Sequence, residues 1–291
     1  MKISNLYFKY PTSKDEVLKN ISFKPEEKII TGIIGPNGSG KTTFMKILSG
    51  LLVPDKYNEF DTVESDRVAL ILGENQLYTD LTGYENILYY LYLNKIKKND
   101  DDIRKMLSKV GLLDKKDMLV GQFSTGMKQK LNLAKVLLSK KEVIILDEPT
   151  SGMDPLSKVE MNQLLKNISA NGEYTILISS HSMKEVEDIC DNILFLNQGN
   201  EIFYGSKEEL FRKYQKGIVE LHGDKDFIES VVKDLKIKCR KFYCHTQDLQ
   251  SKLVINGNYD LDSTDAYSQI IQRRLNLEDV FFFETAGDYN V

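Results

Sequence analysis

Apolar and polar positions follow two rhythms along this chain, and the changes of rhythm divide it. Short apolar runs rich in β-branched residues, Ile29-Ile30-Thr31-Gly32-Ile33-Ile34, Val143-Ile144-Ile145-Leu146, Thr175-Ile176-Leu177-Ile178-Ser179 and Ile193-Leu194-Phe195-Leu196, predict buried strands. Helical patterns fall between them, as at Phe44-Met45-Lys46-Ile47-Leu48. Strand and helix alternate up to about Gly205, which predicts an α/β fold with a largely parallel central sheet. From Leu81 to Leu138 the pattern is mostly helical. There Thr82-x-x-Glu85 forms a capping box ahead of Ile87, Leu88, Leu91 and Tyr92 on one face, while a later helix carries Leu131, Ala134 and Leu138 on its apolar face. A helical subdomain, about 77–140, is therefore expected inside the α/β core. Beyond Gly205 come strand-like Gly217–Leu221, helical Phe227–Leu235, strand-like Lys252–Ile255 and helical Ala266–Leu275, which predict a small α+β appendage over 216–291 after a first domain of 1–215. No internal repeat or low-complexity tract interrupts this order.

Composition narrows the partners. With 291 residues, 41% of them hydrophobic, the chain can bury a sizeable core, and a net charge of −4 provides no overall basic field to recruit nucleic acid. Cys190, Cys239 and Cys244 form no C-x-x-C pair and the three histidines do not cluster with them, so reduced structural thiols are expected rather than a metal site. The segment Met1–Leu6 resembles neither a secretory signal nor a transit peptide. No apolar stretch has the length of a bilayer span, because Lys140-Lys141-Glu142 separates Val136–Leu138 from Val143–Leu146. A cytoplasmic protein that docks on a membrane from that side fits these features.

The chemistry is concentrated in three stretches. Gly35-Pro36-Asn37-Gly38-Ser39-Gly40-Lys41-Thr42 fits G-x-x-x-x-G-K-S/T between a predicted strand and a predicted helix, the context in which that pattern cradles phosphates. Glycines let the backbone aim its N–H groups at phosphate oxygens, and the helix N-terminus adds partial positive charge. Lys41 is placed to reach the β and γ phosphates, Thr42 to present its hydroxyl to Mg²⁺ and Thr43 to help hold the α phosphate. A chance glycine turn is the alternative, and both flanks disfavour it. Next, Val143–Leu146 ends in Asp147-Glu148, a Walker B arrangement at the carboxyl end of a strand. Asp147 suits Mg²⁺, directly or through water, and Glu148 is free to orient and deprotonate an attacking water; the plain alternative is a solvated pair before Pro149. The third stretch, Phe123-Ser124-Thr125-Gly126-Met127-Lys128-Gln129, opens a helix on Ser124, a good N-cap. A serine, a glycine and a free helix N-terminus make an anion site, although every capped helix has such an end.

At this point the sequence resembles the nucleotide-binding subunit of an ATP-binding cassette (ABC) transporter. The family's Leu-Ser-Gly-Gly-Gln signature stands here as Phe123-Ser124-Thr125-Gly126-Met127, a variant similar to that of exporter ATPases. The resemblance implies a P-loop NTPase with a RecA-like core, and it assigns further residues. Tyr10 stands where an aromatic stacks on adenine, Ser151-Gly152-Met153-Asp154 resembles the D-loop, and His181 resembles the switch histidine that contacts the γ phosphate. Taken alone, each has an ordinary reading: an exposed tyrosine, a turn before Pro155, and a surface histidine ahead of the capping box Ser182-x-x-Glu185. One position departs from the family. Gly73 occupies the place of the usual glutamine, and Glu74 and Gln76 are the residues that could take over.

The family's geometry implies ATP and Mg²⁺ held between two subunits, with Ser124 and Gly126 of one closing the nucleotide held by the other, so a second copy is an expected partner. It also implies a separate polytopic membrane subunit, received in a groove near Leu77-Tyr78 and Thr82–Glu85, and a position on the inner face of the cell membrane. Leu277-Glu278-Asp279-Val280-Phe281 resembles a sequence found near the end of exporter ATPases, or is simply an amphipathic helix packing locally. A soluble ABC ATPase of an assembly or repair complex is the competing function, and a regulator without turnover is disfavoured by Glu148.

Overall fold

Every residue of Ile30–Ile34 is buried, as a strand must be when both faces of its sheet are covered. The structure, a computed structural model, describes residues 1–61, 65–73, 77–214, 217–237, 241–247, 250–257 and 267–285. Its contacts divide into two units, Met1–Tyr204 and Gly205–Val291, whereas the sequence expectation drew that line at 215.

In chain order the first unit contains β1 (Lys2–Phe8), β2 (Leu18–Phe23), β3 (Ile30–Ile34), α1 (Lys41–Leu48), β4 (Glu59–Asp61), β5 (Val68–Leu72), α2 (Gly83–Leu93), α3 (Asp100–Lys109), α4 (Thr125–Leu138), β6 (Val143–Asp147), α5 (Pro155–Ala170), β7 (Thr175–Ser179), α6 (Met183–Ile189), β8 (Asn192–Asn197) and β9 (Asn200–Ser206). Among the described residues these strands form one nine-stranded sheet in the order β4-β1-β2-β9-β8-β3-β7-β6-β5. The half that carries the glycine loop is parallel: β3 pairs with β7 and β8, and β6 with β5 and β7. The other half is mixed, since β1 pairs antiparallel with β2 and β4. β9 joins the halves. It lies between β2 and β8 and is parallel to β2 at Lys19 and Asn200. The Ser22 N–H donates to the Glu201 carboxylate at 2.8 Å, and the Tyr204 hydroxyl donates to the Lys24 carbonyl at 2.8 Å.

Against this sheet α1 buries Phe44, Met45, Ile47 and Leu48, with the Phe44 ring edge-on to Phe23. α2, α3 and α4 surround a separate apolar cluster that includes Ile87, Leu91, Leu107 and Leu131. The Thr82 capping box is present in both directions: the Glu85 N–H donates to Thr82 Oγ1 and the Thr82 N–H to Glu85 Oε2. The stripe on α2 is narrower than the sequence pattern predicts. Ile87 and Leu91 are buried, but Leu88 is 42% exposed and Tyr92 80% exposed, so α2 gives the cluster only part of its apolar face.

The second unit adds α7 (Lys207–Arg212), β10 (Gly217–Gly223), α8 (Lys225–Ile237), β11 (Phe242–Gln247), β12 (Gln250–Asn256), β13 (Tyr267–Arg274) and α9 (Leu277–Thr285). Its strands pair antiparallel in the order β11-β12-β10-β13, with Ile228, Val231 and Val232 of α8 packed on Val219, Leu221, Leu253 and Ile255. Within the helix predicted over Ala266–Leu275, Ala266 lies outside the described residues and Tyr267–Arg274 is a strand. Its Gln and Arg residues favour helix, but pairing along β10 from Gly217–Arg274 to Gly223–Tyr267 satisfies the backbone instead. Leu277–Phe281 opens α9, and Asp279 is buried. The Arg273 guanidinium donates to both Asp279 oxygens at 2.6 and 2.7 Å and the Tyr243 hydroxyl donates to Oδ1 at 3.0 Å, so this motif packs within its own unit.

Candidate functional site

β3 delivers the chain into Gly35–Gly40 at its carboxyl end, and two of those glycines have no substitute. At Gly35 (φ 153°) a Cβ would lie 2.1 Å from the Leu196 carbonyl; at Gly40 (φ 101°) it would lie 2.5 Å from Leu18 Cδ2. Gly40 is also the N-cap of α1 and provides no side-chain cap, so the first amides of the helix are left open to an anion. Asn37, Gly38 and Ser39 complete the loop, with the Ser39 N–H donating to the Pro36 carbonyl at 3.1 Å.

Lys41 folds back across this loop. Its ammonium donates to the Gly35 and Pro36 carbonyls at 2.8 and 3.0 Å. Burial pulls Lys41 below the ordinary lysine pKa, and the charges of Glu148 and Asp147 oppose that pull. Next along α1, the Thr42 hydroxyl donates to Asp147 Oδ2 at 2.8 Å. Thr43 lies 3.1 Å from the Tyr10 hydroxyl, and the Tyr10 ring is edge-on to Phe8, so two contacts fix Tyr10 beside the loop.

The carboxylates are positioned by register. Asp147 and Ile33 both pair with Ser179 of β7, so the ends of β3, β7 and β6 stand side by side. Ser179 Oγ donates to Asp147 Oδ1 at 2.5 Å and accepts the Glu148 N–H at 2.9 Å. Glu148 adopts φ 51°, a left-handed conformation that costs a non-glycine residue about 1 kcal/mol and turns its side chain away from the strand direction. Its Oε1 lies 2.5 Å from His181 Nε2.

Some of this support is invisible to motif reading. Ser182 accepts the Glu185 N–H, as a capping box requires, but the Glu185 carboxylate does not return to Ser182. It is buried and accepts from Thr150 Oγ1 at 2.9 Å and Ser180 Oγ at 2.6 Å, bracing the loops after β6 and β7. Only the polarity of Thr150, Ser180 and Glu185 hinted at this. A pocket of about 380 Å³ opens beside the carboxylates, lined by Asp147, Glu148, Gly73, Ser151, Gly152 and Gln129. Glu74 and Gln76 lie outside the described residues.

The second predicted anion element stands apart. Ser124 caps α4 by accepting the Met127 N–H at 3.3 Å, and Gly126 is packed so closely that a Cβ would lie 3.1 Å from Ser157 Cβ. Among the described residues, no hydrogen bond links Ser124 or Gly126 to the Gly35–Thr43 loop. Asp154 caps α5, accepting the Ser157 N–H at 3.0 Å.

The chain is similar to proteins of known family. The ABC transporter family profile matches residues 18–151. The lantibiotic transport ATP-binding protein SrtF of Streptococcus pyogenes is 36% identical over 225 residues, covering 72% of this chain and 95% of that protein. The Nod factor export ATP-binding protein I of Burkholderia lata is 31% identical over 283 residues, covering 91% and 90%. A dimeric ATP-binding cassette in a post-hydrolysis state bound to ADP and Pi has a similar fold, with a TM-score of 0.60 at 22% identity over 70% of this chain and 97% of that one.

Proposed function

Because the chain belongs to the ABC transporter family of ATP-binding proteins, we propose that it hydrolyses ATP in sites shared between two copies and so drives a separate membrane subunit, in the direction of export. The observation that carries this reading is the Glu148 carboxylate, held 2.5 Å from His181 beside the Thr42–Asp147 pair at the carboxyl ends of parallel strands. Gly35, Pro36, Asn37, Gly38, Ser39, Gly40 and Lys41 bind the β and γ phosphates, Thr43 helps at the α phosphate, and Tyr10 stacks on adenine. Glu148 takes the proton of the attacking water, while His181 holds the Glu148 carboxylate and faces the γ phosphate.

Thr42 and Asp147 suit a hard divalent ion. Both offer oxygen, their side chains already meet, and among the described residues no group of three or more His, Cys, Asp or Glu competes as a metal cage. That is the donor set Mg²⁺ accepts when phosphate and water complete its shell, and the ion would supply charge neutralisation of the phosphate oxygens.

Ser124 and Gly126 supply the other half of each site from the partner copy, which the absence of a link to their own loop supports. The printed names of the export relatives favour a transporter over a soluble assembly or repair complex. Among the described residues no helix is long and apolar enough to cross a membrane. By likeness to the export relatives, which are named as ATP-binding proteins, the spanning part is a separate subunit and this one sits on the cytoplasmic face of the cell membrane.

Glu148→Gln is the test. It should keep ATP affinity, lower turnover by about 10²- to 10⁴-fold, and accumulate as an ATP-dependent dimer in size-exclusion chromatography. Wild-type turnover in this variant would falsify the role of Glu148 as base.

A further inference from the structure

Gln129 lies on α4, five residues beyond the Ser124 cap, and is only 5% exposed. Its carboxamide lines the pocket that Asp147 and Glu148 also line, and among the described residues it has no hydrogen-bond partner. The side chain is otherwise buried, yet its amide atoms are not sealed from solvent, so they open to the pocket and not to the core. A carboxamide also offers what neither carboxylate can, an N–H pair that donates and an oxygen that accepts. Opposite two carboxylates, those groups match the unused valences of a water molecule.

We propose that Gln129 binds the water that attacks the γ phosphate, within the nucleotide site of its own chain. The inference rests on reading Glu148 as the base. The water lies between the two side chains. One of its O–H bonds breaks and the proton passes to Glu148, while the other O–H donates to the Gln129 carbonyl. As the water oxygen forms its bond to the γ phosphorus, the bond from that phosphorus to the bridging oxygen breaks, and its electron pair leaves on ADP. Gln129 thereby fixes the direction in which the oxygen lone pair points, which is worth rate rather than affinity. Because α4 also carries Ser124, the same helix serves two sites: its N-terminus meets the partner's nucleotide, and its second turn meets its own.

The test uses the full chain with Gln129→Leu and Gln129→Met, measuring ATP affinity and kcat separately. Gln129→Leu should bind ATP within twofold of wild type and lose roughly 10- to 100-fold in kcat. Gln129→Met stays close to glutamine in size and shape without its amide, so it answers if the leucine variant fails to fold, and it should show the same split. A purely structural role would weaken ATP binding along with turnover. Turnover within twofold of wild type in both variants, or a loss of affinity that matches the loss of kcat, overturns the proposal. Glu148→Gln is assayed in parallel to separate the two failures. Turnover surviving there removes the base on which the inference rests, whereas inactive Glu148→Gln beside fully active Gln129→Leu overturns the Gln129 assignment alone.

Discussion

Lys41 illustrates how one side chain ties the loop to its chemistry. Its ammonium bonds two carbonyls of the loop it follows, so the charge proposed to meet phosphate is positioned by the backbone it helps to hold. Charge-assisted hydrogen bonds are each worth about 1.5–3 kcal/mol. Lys41→Ala should therefore weaken ATP binding roughly 10- to 100-fold by isothermal titration, and an unchanged dissociation constant would count against the phosphate-loop assignment. At this scale the sequence was informative wherever the chemistry is contiguous. Gly35–Thr42 and Asp147-Glu148 are each a single stretch, so spacing alone reveals them. Ser179 and Glu185 were not legible as site residues, because a serine ending a strand and a glutamate in a first helical turn are ordinary there. Their roles come from register and burial, which bring together residues more than thirty positions apart.

α4 shows the same limit for a whole element. The sequence pattern picked out Leu131, Ala134 and Leu138 as its apolar face, yet the polar Gln129, Asn132 and Lys135 are also at most 5% exposed because the helix is covered nearly all round. Lys135 lies over the Tyr90 ring, 5.3 Å from its centroid, and burial brings its pKa down to about 8. Both polar atoms of the Asn132 side chain are buried without a partner among the described residues. Asn132→Leu, which nearly conserves volume, should raise stability by about 1–3 kcal/mol; a lower urea midpoint would show that the amide is satisfied in solution. Elsewhere, elements whose pattern is buried and apolar matched expectation, and those defined by partners did not. β13 carries helix-favouring residues and becomes a strand through β10, and the part-exposed strands β1 and β4 lack the apolar runs that identified β3, β6, β7 and β8.

For the whole molecule, the proposed output depends on a partner that spans the bilayer. Affinity purification of the full chain from detergent-solubilised membranes should recover one polytopic protein in stoichiometric amount, and a purely soluble complex would remove the transporter assignment. The fold also sets a schedule for its own synthesis. β1 and β2 reach the parallel sheet only through β9, and the Ser22–Glu201 bond closes a span of 179 residues. At about 5–20 residues per second, the ribosome needs about 10–40 s between making those two ends. During that interval β1 can pair with β2 and β4, but the edge of β2 that meets β9 has no partner, and its unpaired amides are open to chaperones. The join between this edge and the parallel half is thus made late, although its first strands are made first.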